Sequence, residues 1–502
     1  MAENGVEENS LRPAEKKRLK TTSSSSSSAE DDEDRISKLP DALILHILSF
    51  LPTVDAVSTS LLSNRWKRMW YLVPNLSFFI IASSYKSSQD REKLCNYVDS
   101  CLEHRKKAMF YNCNSVLTSF KLQMDCYERT KNLYLDKWLA FAVEKKVTEV
   151  NLCLSEEVGG DEDGSIYYLY CIPETLLVKA IYLTILELNT VLLDSGYSYS
   201  FPSLKSLSLT NVDILDTSVV DKLLLGSPSL EKLSLIDFDI KDRRPYQLDI
   251  RSSSLKFLVI RFFMIESLCT VRQIEVINLE SLELVGVPFD NLNLSVCKAI
   301  KNLSLICDWN IEEPSSLEYL ISSLPLLENL TLGNWEKKSL DHIKISSQQL
   351  KSFNVNNYAD AMTVIIEWAP QLASFYYTGD LLFRMSMVSS NSLNGTFELE
   401  IAKYEDYNGD WFINMMNFLM SLNCSWNMVT LHVDRAKALI FPKNLKRMFE
   451  NWQCTCRFPM LNWEHLRVFT ECKGEEESEL RDALMWIFPS LKTLSIGERR
   501  SC

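Results

Sequence analysis

Cys454, Cys456, His465 and Cys472 bring three thiols and an imidazole into one short stretch, the donor types that Zn²⁺ takes in tetrahedral sites. Their spacing matches no common zinc module. Free cysteine packs as a small hydrophobe, so buried thiols are the expectation and no metal is assigned. The run Gly159-Gly160-Asp161-Glu162-Asp163-Gly164 crowds carboxylates as a calcium loop does. With Gly164 at the turn, however, the first and last ligand positions fall on Gly159 and Tyr170, where carboxylates are required. Five histidines lie scattered, with no H-E-x-x-H and no G-x-S-x-G elbow, and neither G-x-G-x-x-G nor G-x-x-x-x-G-K-[ST] occurs. No catalytic residue and no cofactor is expected from these patterns.

The elements that carry the remaining side chains are more informative. No run of 18 apolar residues exists, and the start MAENGVEENS lacks a basic stretch followed by an apolar one, so neither a membrane span nor a signal peptide is expected. An intracellular location follows, nucleus and/or cytoplasm. A formal charge of −13 opposes attraction to nucleic acid or anionic membrane, which points to protein partners. The 14 cysteines are spread through a long chain, which suits a reducing compartment without structural disulfides. Residues 1–34 combine few apolar side chains with the serine run Ser23 to Ser28 and the acidic run Glu30 to Asp34, the composition of a disordered tail. Within it Lys16-Lys17-Arg18 and Lys20 form a candidate nuclear-import signal.

After Leu39-Pro40, Asp41 is placed to cap a helix in which Leu43, Ile44, Ile47, Leu48 and Leu51 recur at helical spacing until Pro52. A second helix begins near Thr53 or Asp55, and Ser63 caps a third that carries Trp66, Met69 and Trp70. About 40 residues give too small a core for a robust independent domain, so part of the apolar surface is expected to meet a partner.

The stretches Asp34-Arg35-Ile36-Ser37-Lys38-Leu39-Pro40-Asp41, Ile47-Leu48-Ser49-Phe50-Leu51-Pro52 and Leu62-Ser63-Asn64-Arg65-Trp66-Lys67-Arg68-Met69-Trp70 resemble the plant type of F-box over its whole length. Met69 stands where that family usually has Leu, and Leu61 where it has Val; both replacements keep approximate volume. The resemblance implies a substrate-recognition subunit of a SKP-cullin-F-box ubiquitin ligase, itself non-catalytic. A Skp-type adaptor would bind through Leu39, Pro40, Leu43, Ile44, Ile47, Leu48, Leu51, Pro52, Leu62, Trp66 and Trp70, bringing cullin and RING subunits with it.

From about Leu117 the pattern becomes L-x-x-L-x-L. The clearest copies are Leu204-Leu207-Leu209, Leu230-Leu233-Leu235, Leu255-Leu258-Ile260, Leu279-Leu282-Leu284, Ile300-Leu303-Leu305, Leu327-Leu330-Leu332, Leu350-Phe353-Val355 and Leu372-Phe375-Tyr377, starting 21 to 27 residues apart. That interval specifies an α/β solenoid of leucine-rich repeats, with one short parallel strand per unit on its concave face. Weaker copies are Leu117-Phe120-Leu122, Val147-Val150-Leu152 and Leu183-Leu186-Leu188 before this block, and Met428-Leu431-Val433 and Leu491-Leu494-Ile496 after it. The end, from Leu466-Arg467-Val468-Phe469 through Glu475-Glu476-Glu477 to Ile496, resembles the FBD region that closes many plant F-box proteins with such repeats. The expected organisation is a tail over 1–34, the F-box over 35–79, irregular leading repeats over 80–200, the solenoid over 201–380 and C-terminal repeats with the FBD-like region over 381–502.

Strand alternation turns the leucines inward and the intervening residues outward. Among the outward positions, Ile236, Phe257, Val259, Val285 and Ile306 lie on neighbouring units and are expected to form one apolar, target-binding patch in a polar surround. Two other functions fit the same domain order: an F-box binding module that does not promote degradation, and a small-molecule coreceptor with a pocket in the repeats. An inositol phosphate site in such a coreceptor would want a basic cluster, whereas the concave positions offer only Lys232 and Arg261.

Overall fold

The computed structural model describes residues 36–498 apart from 37, 81–87, 112–115, 157–168, 242–244, 264–268, 289–291, 307–313, 335–341, 358–361, 388–392, 402–406, 423–425, 441–462 and 473. The N-terminal tail with its basic run, the acidic loop 159–164, and Cys454 and Cys456 lie outside the described residues.

Three short helices open the chain: α1 Asp41–Ser49, α2 Thr53–Ser58 and α3 Asn64–Trp70. Pro40 precedes the first turn of α1 with φ −58°, the value its ring imposes, and Pro52 does the same for α2 at −53°. Asp41 is therefore not a cap but the first helical residue. Its carboxylate instead accepts from Arg65 Nε at 2.8 Å and Nη2 at 2.5 Å, and the same Nη2 donates to the Leu39 carbonyl. Ser63 does cap α3, its hydroxyl accepting from the Trp66 amide at 3.4 Å. Ile44 and Leu48, four residues apart on one face of α1, close a small core with Ala56, Trp66, Met69 and Val73.

Trp70 does not belong to that core. It packs into the continuous core of the rest of the chain, with Arg105 of α4, Ser88–Tyr111, over its ring at 5.9 Å. Arg105 is 0% exposed and donates to the backbone carbonyls of Trp70, at 2.7 Å, and of Val73. Burial lowers its pKa to about 10, which still leaves the guanidinium charged near neutrality. The Thr53 hydroxyl, accepting from the Ser77 amide at 2.8 Å, adds a second tie between the helical module and the first strand beyond it.

Among the described residues, sixteen parallel strands then form one sheet in chain order. They are β1 Asn75–Ile80, β2 Ser119–Tyr127, β3 Glu149–Glu156, β4 Ile185–Asn189, β5 Ser206–Thr210, β6 Lys232–Ile236, β7 Phe257–Arg261 and β8 Ser281–Val285. The series continues with β9 Asn302–Ile306, β10 Asn329–Asn334, β11 Ser352–Asn357, β12 Ser374–Gly379, β13 Leu393–Ile401, β14 Trp426–Arg435, β15 His465–Glu471 and β16 Thr493–Gly497. One buried residue of each strand lies in register with the next, from Leu76, Phe120, Val150, Leu186, Leu207, Leu233 and Leu258 through Leu282, Leu303, Leu330 and Phe353 to Phe375, Phe397, Val429 and Leu466. A slip of one residue would turn every such side chain to water, so burial on one face alone fixes the register.

Four units escape the leucine pattern; one is β13, in which Phe397 and Leu399 are the buried pair. Val73-Leu76-Phe78 opens the sheet from inside what reads as the helical module. In β14 the buried set is Trp426-Val429-Leu431 rather than Met428-Leu431-Val433; the shift of two leaves the same faces buried. In β15 Trp463 takes the first leucine place. The two indoles face Phe397, with ring centroids 5.5 and 6.4 Å away, and Trp463 stacks on Phe488 at 5.0 Å. Aromatic bulk thus replaces leucine across the C-terminal core.

Just past the strands the backbone turns through positive φ at Thr190, Asn211, Asp237 and Gly286. Their amides continue the ladder, each donating to the last strand residue of the next unit, as Gly286 does to Ile306 at 2.6 Å. At Gly286 a Cβ would sit 2.1 Å from the Phe262 carbonyl oxygen at φ +67°. Gly286→Ala is therefore expected to cost more than about 1 kcal/mol, read as a lower denaturant midpoint with an unchanged slope. Just before the strands, Lys205, Glu231, Lys256, Glu280, Lys301, Glu328 and Lys351 alternate in sign over seven successive units. Lys256 meets Glu231 at 3.0 Å, Lys301 meets Glu280 at 3.0 Å and Lys351 meets Glu328 at 2.9 Å. Exposed pairs contribute at most about 1 kcal/mol each, so this ladder acts on register more than on stability.

Candidate functional site: an apolar helical face and an open sheet face

Two surfaces emerge from this framework. On the helical module, the residues one step away from the buried Ile44 and Leu48 point outward: Leu43 and Ile47 are exposed, as are Phe50 (74%), Val54, Leu61 (89%) and Leu62 (67%). Leu39, Leu51 and Pro52 are half-buried and Pro40 is exposed. Monomeric proteins rarely leave such large side chains together in water unless a partner covers them. Four residues expected among the contacts are instead interior: Ile44 and Leu48 in the module's own core with Trp66, and Trp70 in the core of the repeats. Periodicity identifies the two faces of a helix but not which of them its neighbours cover. Phe50, Val54 and Leu61 extend the surface beyond the residues first singled out. Their signal was an apolar side chain outside the 3.6-residue stripe.

The second surface is the outward face of the sheet. Phe257 is 42% exposed, and Ile236, Val259 and Ile306 are half-buried, but Val285 is only 4% exposed. These residues do not form one apolar patch. Register puts Phe257 between Lys232 and Ser281, Val259 between Ser234 and Glu283, and Arg261 between Ile236 and Val285. Arg261 donates to the Glu283 carboxylate at 2.7 Å, so an ion pair crosses the middle of the expected patch. Ile306 leans over Gly333 of the next strand, where a Cβ would meet its Cγ2 at 2.8 Å. Only Phe257 stands out as an apolar anchor.

Towards the C-terminus this face becomes hydroxyl- and amide-rich and then charged. Asn329 donates to Asn302 at 2.6 Å and Asn354 to the Thr331 hydroxyl at 3.4 Å. Tyr376 donates to Glu400 at 2.5 Å, and Glu398 lies 2.5 Å from His432, whose ring stacks on Phe469 at 5.0 Å. Such pairing lowers what it costs to bring the charges under a partner. The arrangement suits recognition of a macromolecular surface by hydrogen bonding. Among the described residues no group of three or more His, Cys, Asp or Glu is placed to hold a metal, and no helix is long and apolar enough to cross a membrane. The described thiols are buried or half-buried, and burial pushes Cys269 up to about 12, which keeps it protonated.

Known proteins are similar to this chain over both regions. The F-box domain model matches residues 36–78, and the model described as "FBD-associated F-box protein At5g56370, LRR repeats" matches residues 135–301. Three Arabidopsis thaliana proteins are similar over larger spans. F-box/LRR-repeat protein At5g41840 is 34% identical over 40% of this chain and 37% of its own length. F-box/FBD/LRR-repeat protein At4g00160 is 28% identical over 59% and 66%. F-box/FBD/LRR-repeat protein At3g49030 is 30% identical over 67% and 69%. These alignments thus span between 37% and 69% of the relatives' lengths. The F-box match falls on the helical module and the repeat match on the parallel strands, and the chain belongs to the F-box/FBD/LRR-repeat family.

Proposed function

We propose that this chain is the substrate-recognition subunit of a SKP-cullin-F-box ubiquitin ligase. The observation that carries this reading is the exposed set Leu43, Ile47, Phe50, Leu61 and Leu62 on a module whose own core is already closed. A Skp-type adaptor covers that set and joins the chain to cullin and RING subunits. The open sheet face takes the target protein, with Phe257 and Val259 at its centre. Ubiquitin transfer belongs to the RING-bound conjugating enzyme, so no active site is needed here.

The test is affinity purification of the full chain with and without proteasome inhibition, followed by mass spectrometry. The adaptor and cullin are expected in both samples, and target proteins are expected to rise on inhibition; recovery without adaptor would overturn the assignment. Phe257→Ala and Val259→Asp should lower target recovery and leave adaptor recovery unchanged. Loss of an aromatic anchor costs about 2 kcal/mol at a hot spot, roughly 30-fold in affinity. Unchanged recovery with both variants would move the target site off this part of the sheet.

A further inference from the structure

A cavity of about 570 Å³ lies away from both surfaces, between the turn after β12, the short strand Phe383–Met387 and the helix Gly409–Ser421. Its size falls within the range of small-molecule sites. The apolar wall includes Phe383, Trp411 and Phe418, all buried; the polar lining includes Asp380 and Arg384, a second carboxylate, Asp410, exposed in the first turn of the helix, and the amides Asn414 and Asn417, one helical turn apart.

The lining is held in place from behind. Gly379, at φ +149°, packs against the Asn357 carbonyl, where a Cβ would come within 1.7 Å, so the chain turns there with no room for a side chain. The Asp380 amide then donates to the Asn357 carbonyl at 3.2 Å, and the Asp380 carbonyl accepts from the Tyr377 hydroxyl at 2.5 Å. Both backbone groups of Asp380 are pinned, which fixes the point from which its side chain leaves the turn. Across the cavity, the Asn408 side chain caps the helix through the Trp411 amide at 3.0 Å, and the Trp411 indole donates to the Ala438 carbonyl at 3.2 Å.

Within this fixed frame two charged side chains have no partner among the described residues. Among the described residues no ion pair or side-chain hydrogen bond closes on the Asp380 carboxylate or on the Arg384 guanidinium, although the two charges line the same cavity. Asp380 is half-buried and burial raises its pKa, as expected of a carboxylate with no cation against it. Opposite charges on one cavity that do not close on each other leave a gap that a molecule carrying both complementary charges would fill. Two charge-assisted contacts and an apolar wall set the chemistry of that molecule.

We propose that this cavity binds a small zwitterion with an apolar side group: its ammonium against Asp380, its carboxylate against Arg384 and its apolar part on Phe383, Trp411 and Phe418. A free α-amino acid and a short peptide with both termini free share this chemistry. The inference does not depend on the ubiquitin-ligase reading.

Calorimetric titration of the full chain with L-phenylalanine and with the dipeptide L-alanyl-L-phenylalanine tests it and separates the two sources. At least one is expected to bind with a Kd of about 1 mM or tighter. Phenethylamine and 3-phenylpropionate, each keeping one charge, should bind about 10-fold or more weakly, and N-acetyl-L-phenylalaninamide more weakly still. Asp380→Asn and Arg384→Gln should each weaken the zwitterion by a similar factor, whereas Phe257→Ala should not change it. Asn417→Asp, on the exposed side of the helix, serves as a variant that does not disturb the core; it should weaken 3-phenylpropionate and strengthen phenethylamine. Equal binding of single-charge and zwitterionic probes, undiminished binding by Asp380→Asn, or no binding of either zwitterion at about 10 mM would overturn the proposal.

Discussion

Leu43→Ala combined with Leu62→Ala is expected to weaken binding of a Skp-type adaptor by about two to four decades while leaving the melting temperature of the chain nearly unchanged. Each leucine is at least half exposed, so neither contributes much to the module's own core. Burying an aliphatic side chain of this size under a partner contributes about 1.5–3 kcal/mol, so two give about 3–6 kcal/mol, and each 1.4 kcal/mol is a decade in Kd. The contrasting variant is Trp66→Ala. Trp66 is buried among Ile44, Leu48, Ala56, Met69 and Val73, and truncating it should cost about 3–5 kcal/mol of folding stability. Adaptor binding would then be lost through unfolding, visible by circular dichroism, rather than through the interface. Undiminished pull-down by the double leucine variant, with normal folding, would show that this face is not the adaptor surface.

The second large effect is expected at Arg105, which contacts neither proposed partner. Arg105→Ala removes two charge-assisted hydrogen bonds from the Trp70 and Val73 carbonyls and the cation above the Trp70 ring. At about 1.5–3 kcal/mol per bond the gross loss is about 3–6 kcal/mol, because buried carbonyls left without donors recover no water. Relief of a desolvated cation offsets part of it. Arg105→Lys keeps the charge but not the planar fork, so it should restore only part of the stability. Because these contacts join the helical module to the repeats, the alanine variant is expected to unfold in two steps, with the module melting first, where the unaltered chain unfolds in one. Scanning calorimetry reads this directly, and a wild-type midpoint for Arg105→Ala would refute the junction role. Below the melting point of its helical module the full-length Arg105→Ala variant should bind adaptor as before, since the exposed leucines are untouched.

Much of the framework was legible from residues alone, for reasons of period and stereochemistry. Pro40 and Pro52 mark helix starts because their fixed φ suits a first turn, and Ser63 caps α3 because a hydroxyl reaches an unpaired amide there. The leucine triplets fall in one continuous register across the central strands because side chains alternate and one face must be buried. The pattern failed where aromatic residues replaced leucine: Trp426 and Trp463 occupy first-leucine places, and a reading restricted to aliphatic residues slides to Met428.

The sequence by itself determined the order of the helical module and the repeats, the inward leucines of the central strands and the family resemblance, because all of these depend on spacing along the chain. Only the tertiary structure decided which apolar residues of the helical module are interior, since that depends on which helix face a neighbour covers. Only it assigned Trp70 to the repeats, through Arg105 35 residues later. Only it divided the expected apolar patch, because Arg261 and Glu283, 22 residues apart, become neighbours when strands pair. The cavity beside Asp380 is likewise tertiary: its charges come from a turn and a strand, its amides from a later helix, and no spacing in the chain announces that they face one space.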